Sequence, residues 1–110
     1  MLRRNPVRIR QGDLTRDLAS LLTEAPTGPT IVVFHAATPT YVSDPDERAA
    51  FATTLCEHSA VWGSNEAPME FPDIASSTKR QGPPGAFLVA VNGEPMAWAD
   101  PHGAWIDWLA

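Results

Sequence analysis

Five consecutive residues, Thr30-Ile31-Val32-Val33-Phe34, are β-branched or aromatic and carry no charge. Such a run fits a strand better than a helix, because branching at Cβ restricts χ1 in a helix and packs well on a pleated surface. Apolar side chains on both faces imply a central strand covered on both sides, as in parallel sheets. The remaining segments must then be arranged around a sheet.

Residues 6–12, Pro-Val-Arg-Ile-Arg-Gln-Gly, alternate apolar and polar and predict a short, half-buried strand near a sheet edge. Asp13 follows as an N-cap, and Leu14, Leu18, Leu21, Leu22 and Ala25 form one helical stripe that Pro26, Gly28 and Pro29 stop. Asp44, Pro45 and Glu47 open a second helix, with Phe51, Ala52, Leu55 and Cys56 as its buried face. Ala60-Val61-Trp62-Gly63 reads as a short buried strand leading into Ser64-Asn65-Glu66. Four prolines and two glycines make residues 67–85 mostly loop, with a short helix around Asp73 to Thr78. Ala86 to Val91 and Glu94 to Ala99 form a hairpin on Asn92-Gly93, a pair suited to the positive φ angles of a type I′ turn. Pro95 cannot donate to a ladder, so it belongs at an edge or at the start of its strand. The tail Trp105–Leu109 closes apolar surface as a helical turn or an extended stretch.

Strands separated by helices imply right-handed crossovers. The expected fold is therefore α/β: a partial doubly wound, Rossmann-like sheet of about three parallel strands, a C-terminal antiparallel hairpin and flanking helices. Residues 1–110 form a single domain without a separate linker, and no repeat is visible.

Composition narrows the function classes. Thirteen acidic against eight basic residues give a net charge of −5, which argues against nucleic-acid binding. No apolar run approaches the roughly 18 residues that a membrane span needs. Four arginines in the first ten residues are not followed by the apolar stretch of a signal peptide, so a cytoplasmic location is expected. Cys56, the single cysteine, excludes an internal disulfide and reads as a small core residue. Three histidines without ligand spacing make a metal site unexpected. His58 reads as an exposed residue at a helix end, where a cation suits the macrodipole.

Open α/β sheets bind ligands at the carboxyl ends of their parallel strands. Those ends carry Asp13, His35, Asn65 and Glu66. One reading is a crevice in which His35, Asn65 and Glu66 move protons or hold a polar substrate, with Asp13 and Tyr41 as ligand-binding groups. The other is structural: Asp13 caps a helix, while Asn65 and Glu66 satisfy turn amides. Asp100 and His102 fit an Asx-type turn and are expected at the opposite end of the sheet from His35, because a parallel strand at Ala86–Val91 would return the chain there.

Val33-Phe34-His35, Tyr41, Asp46-Glu47-Arg48, Trp62-Gly63-Ser64-Asn65-Glu66-Ala67-Pro68 and Asp100-Pro101-His102-Gly103-Ala104-Trp105-Ile106-Asp107-Trp108-Leu109 together resemble the C-terminal part of a bacterial family, domain of unknown function 2332. Members are about three times this length, so the resemblance implies that the chain corresponds to the last third. The departure is Ala36, where the family pattern implies a serine. The element order is also similar to the second half of class I methyltransferases, a likeness of fold that establishes no activity. That likeness implies a half-domain without a complete cofactor site, since no glycine-rich turn follows a strand and opens a helix. S-adenosylmethionine would bind only if an upstream half were supplied. The bare edge beside Thr30–Phe34 then calls for self-association or a partner chain. The alternatives are a small enzyme or ligand-binding protein working through the crevice, and a non-enzymatic interaction module working through its tryptophan-rich end.

Overall fold

The computed structural model describes residues 6–37 and 42–110. The elements in chain order are α1 (Leu18–Glu24), β1 (Val32–Ala36), α2 (Pro45–Glu57), β2 (Val61–Glu66), a 3-10 turn (Pro68–Glu70), α3 (Pro72–Ser76), β3 (Phe87–Val91), β4 (Glu94–Ala99) and β5 (Ile106–Trp108). The strands form one sheet in the order β1-β2-β3-β4-β5. β1 and β2 are parallel, with His35 opposite Ser64, whereas β3, β4 and β5 each run antiparallel to the strand before.

This overturns the doubly wound fold with three parallel strands, and with it the Rossmann-like and methyltransferase-like readings. The reason lies between β2 and β3. A parallel β3 needs a crossover that carries the chain back along the sheet, and β2 is roughly 20 Å long at about 3.3 Å per residue. Helix α3 has five residues, a rise of only about 7.5 Å. α3 ends at Ser76, and the irregular chain that follows it re-enters the sheet from the end at which β2 left it.

Two further expectations fail for related reasons. Residues 6–12 form no strand, and Val7 and Ile9 are exposed, since two apolar side chains bury too little to offset ordering the segment. β1 is not central. It lies at the sheet edge, and its burial alternates, with Val33 and His35 turned inward and Val32 and Phe34 exposed.

Helices α1 and α2 cover the inner face of β1 and β2. Leu18 and Leu22 meet Phe51, Leu55, Ala60 and Trp62 in one core cluster. α2 starts as expected, with Asp44 accepting from the Asp46 amide at 2.9 Å and Pro45 in the first turn. Cys56, expected in the core, is exposed, because the buried stripe runs through Phe51 and Leu55. His58 is half-buried at the helix end, its Nδ1 2.9 Å from the Thr54 carbonyl. A second cluster joins Ala86, Leu88 and Trp98 beneath Ile74 of α3. The hairpin forms as expected, with φ of 50° at Asn92 and 78° at Gly93. Pro95 stands second in β4, and the register shifts between Val89 and Ala90 to accommodate it. No helix among the described residues is long and apolar enough to cross a membrane.

Candidate functional site

The parallel pair brings together two of the residues expected at the strand ends. His35 ends the inward row of β1, and Glu66 ends that of β2, two positions beyond the residue paired with His35. Nδ1 of His35 lies 2.6 Å from Oε1 of Glu66, and both side chains are almost fully buried. Trp62 donates its indole N–H to Nε2 of His35 at 2.8 Å. An Nε2 that accepts this bond carries no proton, so the ring proton sits on Nδ1 and is donated to Glu66. Phe51 and Phe71 pack on the imidazole, with ring centroids 5.3 and 5.9 Å away.

A carboxylate orienting an imidazole through Nδ1 is the arrangement of a general base, whose Nε2 would take a proton from a nucleophile. Here Nε2 faces an indole N–H that has no proton to yield at ordinary pH. The cavity lined by Ser64, Glu66, Pro68, Phe71, Ile74 and Leu88 holds about 10 Å³, close to the minimum for a single water. The geometry of the described residues is that of a packed polar core in which both imidazole nitrogens of His35 are engaged.

Beside this pair lies a second one. Arg48, on the inner face of α2, approaches Glu70 at 3.7 Å and donates to the Val42 carbonyl. Glu70 is not singled out by sequence, and Arg48 only within the Asp46-Glu47-Arg48 stretch, although Arg48 precedes Phe51 and Leu55 by three and seven positions and so belongs to their helical stripe. Trp62 reads from sequence as packing only; its indole donor role depends on register with His35.

Asn65 does not join the cluster. Neighbouring strand residues point to opposite faces, so Asn65 faces away from Glu66, and its buried Oδ1 has no hydrogen-bond partner among the described residues. Tyr41 lies outside the described residues. Asp13 organises the turn before α1: its Oδ1 accepts from the amides of Thr15 and Arg16, each at 2.9 Å, and from the Thr15 hydroxyl at 2.8 Å. The Arg16 amide, then the Thr15 hydroxyl and amide, hold its carboxyl down from 3.8 to about 2. A carboxyl lowered on folding stabilises fully above its unfolded value and loses that contribution as pH falls through the folded one. The Thr15 and Arg16 amide resonances should therefore titrate with a midpoint near 2. A midpoint at the ordinary carboxylate value would show that these bonds are not made in solution.

His102 is exposed, in a turn held by Asp100, whose Oδ2 accepts from the amides of His102 and Ala104. Because β4 runs in the same direction as β1, His102 emerges at the same end of the sheet as His35. Three strand spacings, about 14 Å, separate β1 from β4. Among the described residues no group of three or more His, Cys, Asp or Glu is placed to hold a metal ion.

Among the described residues no helix packs on the opposite, outer face of the sheet. Phe34 is 82% exposed, Val32 59%, Trp108 58%, Ile106 50% and Val91 40%. Phe34 stands opposite Gly63, which offers no side chain for the ring to pack against.

A family model described as an uncharacterized protein conserved in bacteria (DUF2332) matches residues 1–108. No curated protein and no solved structure matches the chain.

Proposed function

The chain belongs to this family of uncharacterized bacterial proteins, DUF2332, and from that premise we propose that it is a non-enzymatic, partner-binding module. Its recognition surface is the outer sheet face, with the β1 edge and the tryptophan-bearing end as its two sides. The observation that carries this reading is two exposed apolar groups on this face, Val32 and Phe34 of β1 with Val91 of β3, and Ile106 with Trp108 of β5, on either side of the buried Ala97 and Ala99 of β4. Together they leave on the order of 500 Å² of apolar surface. From β1 to β5 these groups span four strand spacings, roughly 19 Å, the breadth of a docking face rather than of a small-molecule cleft. The inner polar cluster supports the same reading, because both imidazole nitrogens of His35 are engaged by buried neighbours.

Phe34→Glu and Trp108→Glu should each weaken binding of an apolar fluorescent dye several-fold while leaving the unfolding midpoint nearly unchanged. Dye binding that survives both substitutions would sink the reading.

A further inference from the structure

The two edges of the sheet are built differently. β5 has three residues, carries Asp107, and is guarded by Arg80, which pairs with that carboxylate at 2.7 Å and donates to the Trp108 carbonyl at 2.8 Å. Shortness, a charge and a covering side chain are the devices that prevent edge pairing. β1 has five residues, none of them charged or proline. No Asp, Glu, Lys or Arg occurs anywhere from Ala25 to Ser43, nineteen residues in a chain of net charge −5.

The ladder fixes which groups this edge presents. The Ile31 carbonyl accepts from Val61, and the Ala37 amide donates to Asn65. The odd-numbered residues of β1 therefore bond to β2. The N–H and C=O groups of Val32 and Phe34 point away from the sheet, and both side chains lie on the outer face.

We propose that β1 pairs antiparallel with β1 of a second copy of this chain, about a two-fold axis at Val33, joining two sheets into one of ten strands. This rests on the reading of the chain as a binding module and names the occupant of its β1 side. In that register Val32 lies opposite Phe34 of the second copy, and Phe34 opposite its Val32. Each such pair exchanges two backbone hydrogen bonds, so four form in all. On the outer face the same register makes two aromatic–β-branched cross-strand pairs, among the favourable ones. On the inner face Val33 meets its own counterpart. No like charges oppose each other, which matters because two copies of an acidic chain repel wherever their acidic surfaces meet. A partner with a different sequence would need its own complement to each position, whereas two-fold symmetry supplies it from the strand itself.

Light scattering on the full chain tests this, with Val32→Pro and Phe34→Lys as variants. The Val32 amide points away from β2, so proline there removes an edge donor and leaves the β1–β2 ladder intact. Phe34→Lys adds the charge that natural edges carry. At concentrations on the order of 100 µM, which saturate an affinity of micromolar class, the wild type is expected at the mass of two chains. Both variants are expected at the mass of one, with unchanged circular dichroism. A wild type that stays at the mass of one chain while binding the dye overturns the second copy and leaves the module reading standing. A wild type that stays monomeric and binds no dye overturns both. A two-chain mass that persists in both folded variants places the contact elsewhere and overturns the β1 pairing.

Discussion

His35→Ala is expected to destabilise the fold by about 3–5 kcal/mol, the cost of removing one member of a buried ionisable pair. The imidazole serves two buried neighbours, donating to Glu66 and accepting from the indole of Trp62. Its loss withdraws a donor from a nearly fully buried carboxylate and the acceptor from an indole N–H. It also opens space against Phe51 and Phe71, which pack on the ring. Glu66→Gln keeps an acceptor oxygen facing Nδ1 and should cost much less, about 1–2 kcal/mol. Urea unfolding of the two variants checks both values. A His35→Ala chain as stable as the wild type would mean that the imidazole is not held as described, and would reopen a chemical role for it.

Trp98→Ala is expected to cost about 3–5 kcal/mol, the range for losing a large buried aromatic. Trp98 is 3% exposed and joins Ala86 and Leu88 in the second core cluster, and its indole donates to the Arg80 carbonyl at 3.0 Å. Gly82 lies against the same ring: a Cβ there would stand 2.3 Å from it, so the ring fills the space a side chain would occupy. The Trp98 ring thus fastens the loop that carries Arg80, and Arg80 guards the β5 edge. The variant should accordingly lose stability and also aggregate through β5 on partial unfolding. Thermal unfolding with turbidity measures both, and a loss below about 1 kcal/mol would contradict this packing.

The local chemistry of the fold was legible and its long-range directions were not. Asn92-Gly93 specifies its own turn, and Asp44-Pro45 its own helix start, because the residues that satisfy the backbone are adjacent in sequence. An apolar run such as Ala86–Val91 reads identically in a parallel or an antiparallel strand. Its direction is set by the path of the connection before it, and no pattern within the run itself carries that path. Thr30–Phe34 misled for a related reason. Apolar residues on both faces show that both can be buried, not that the chain itself buries both.

At the candidate site, strand-end reasoning brought His35 and Glu66 together because β1 and β2 are parallel. It erred on Asn65, although alternation along β2 already places Asn65 and Glu66 on opposite faces. The pairing of Trp62 with His35 depends on register across 27 residues, which no local pattern carries.

The claim that function resides on the β1 side of the outer face, and not in the polar core, is tested most directly by amide hydrogen exchange within β1 over a range of concentrations. Val33 and His35 bond to β2 and should be protected throughout. Val32 and Phe34 should exchange freely in dilute solution and become protected as concentration rises and β1 meets its second copy. Protection of Val32 and Phe34 at the lowest concentration, or free exchange at every concentration, would contradict the account.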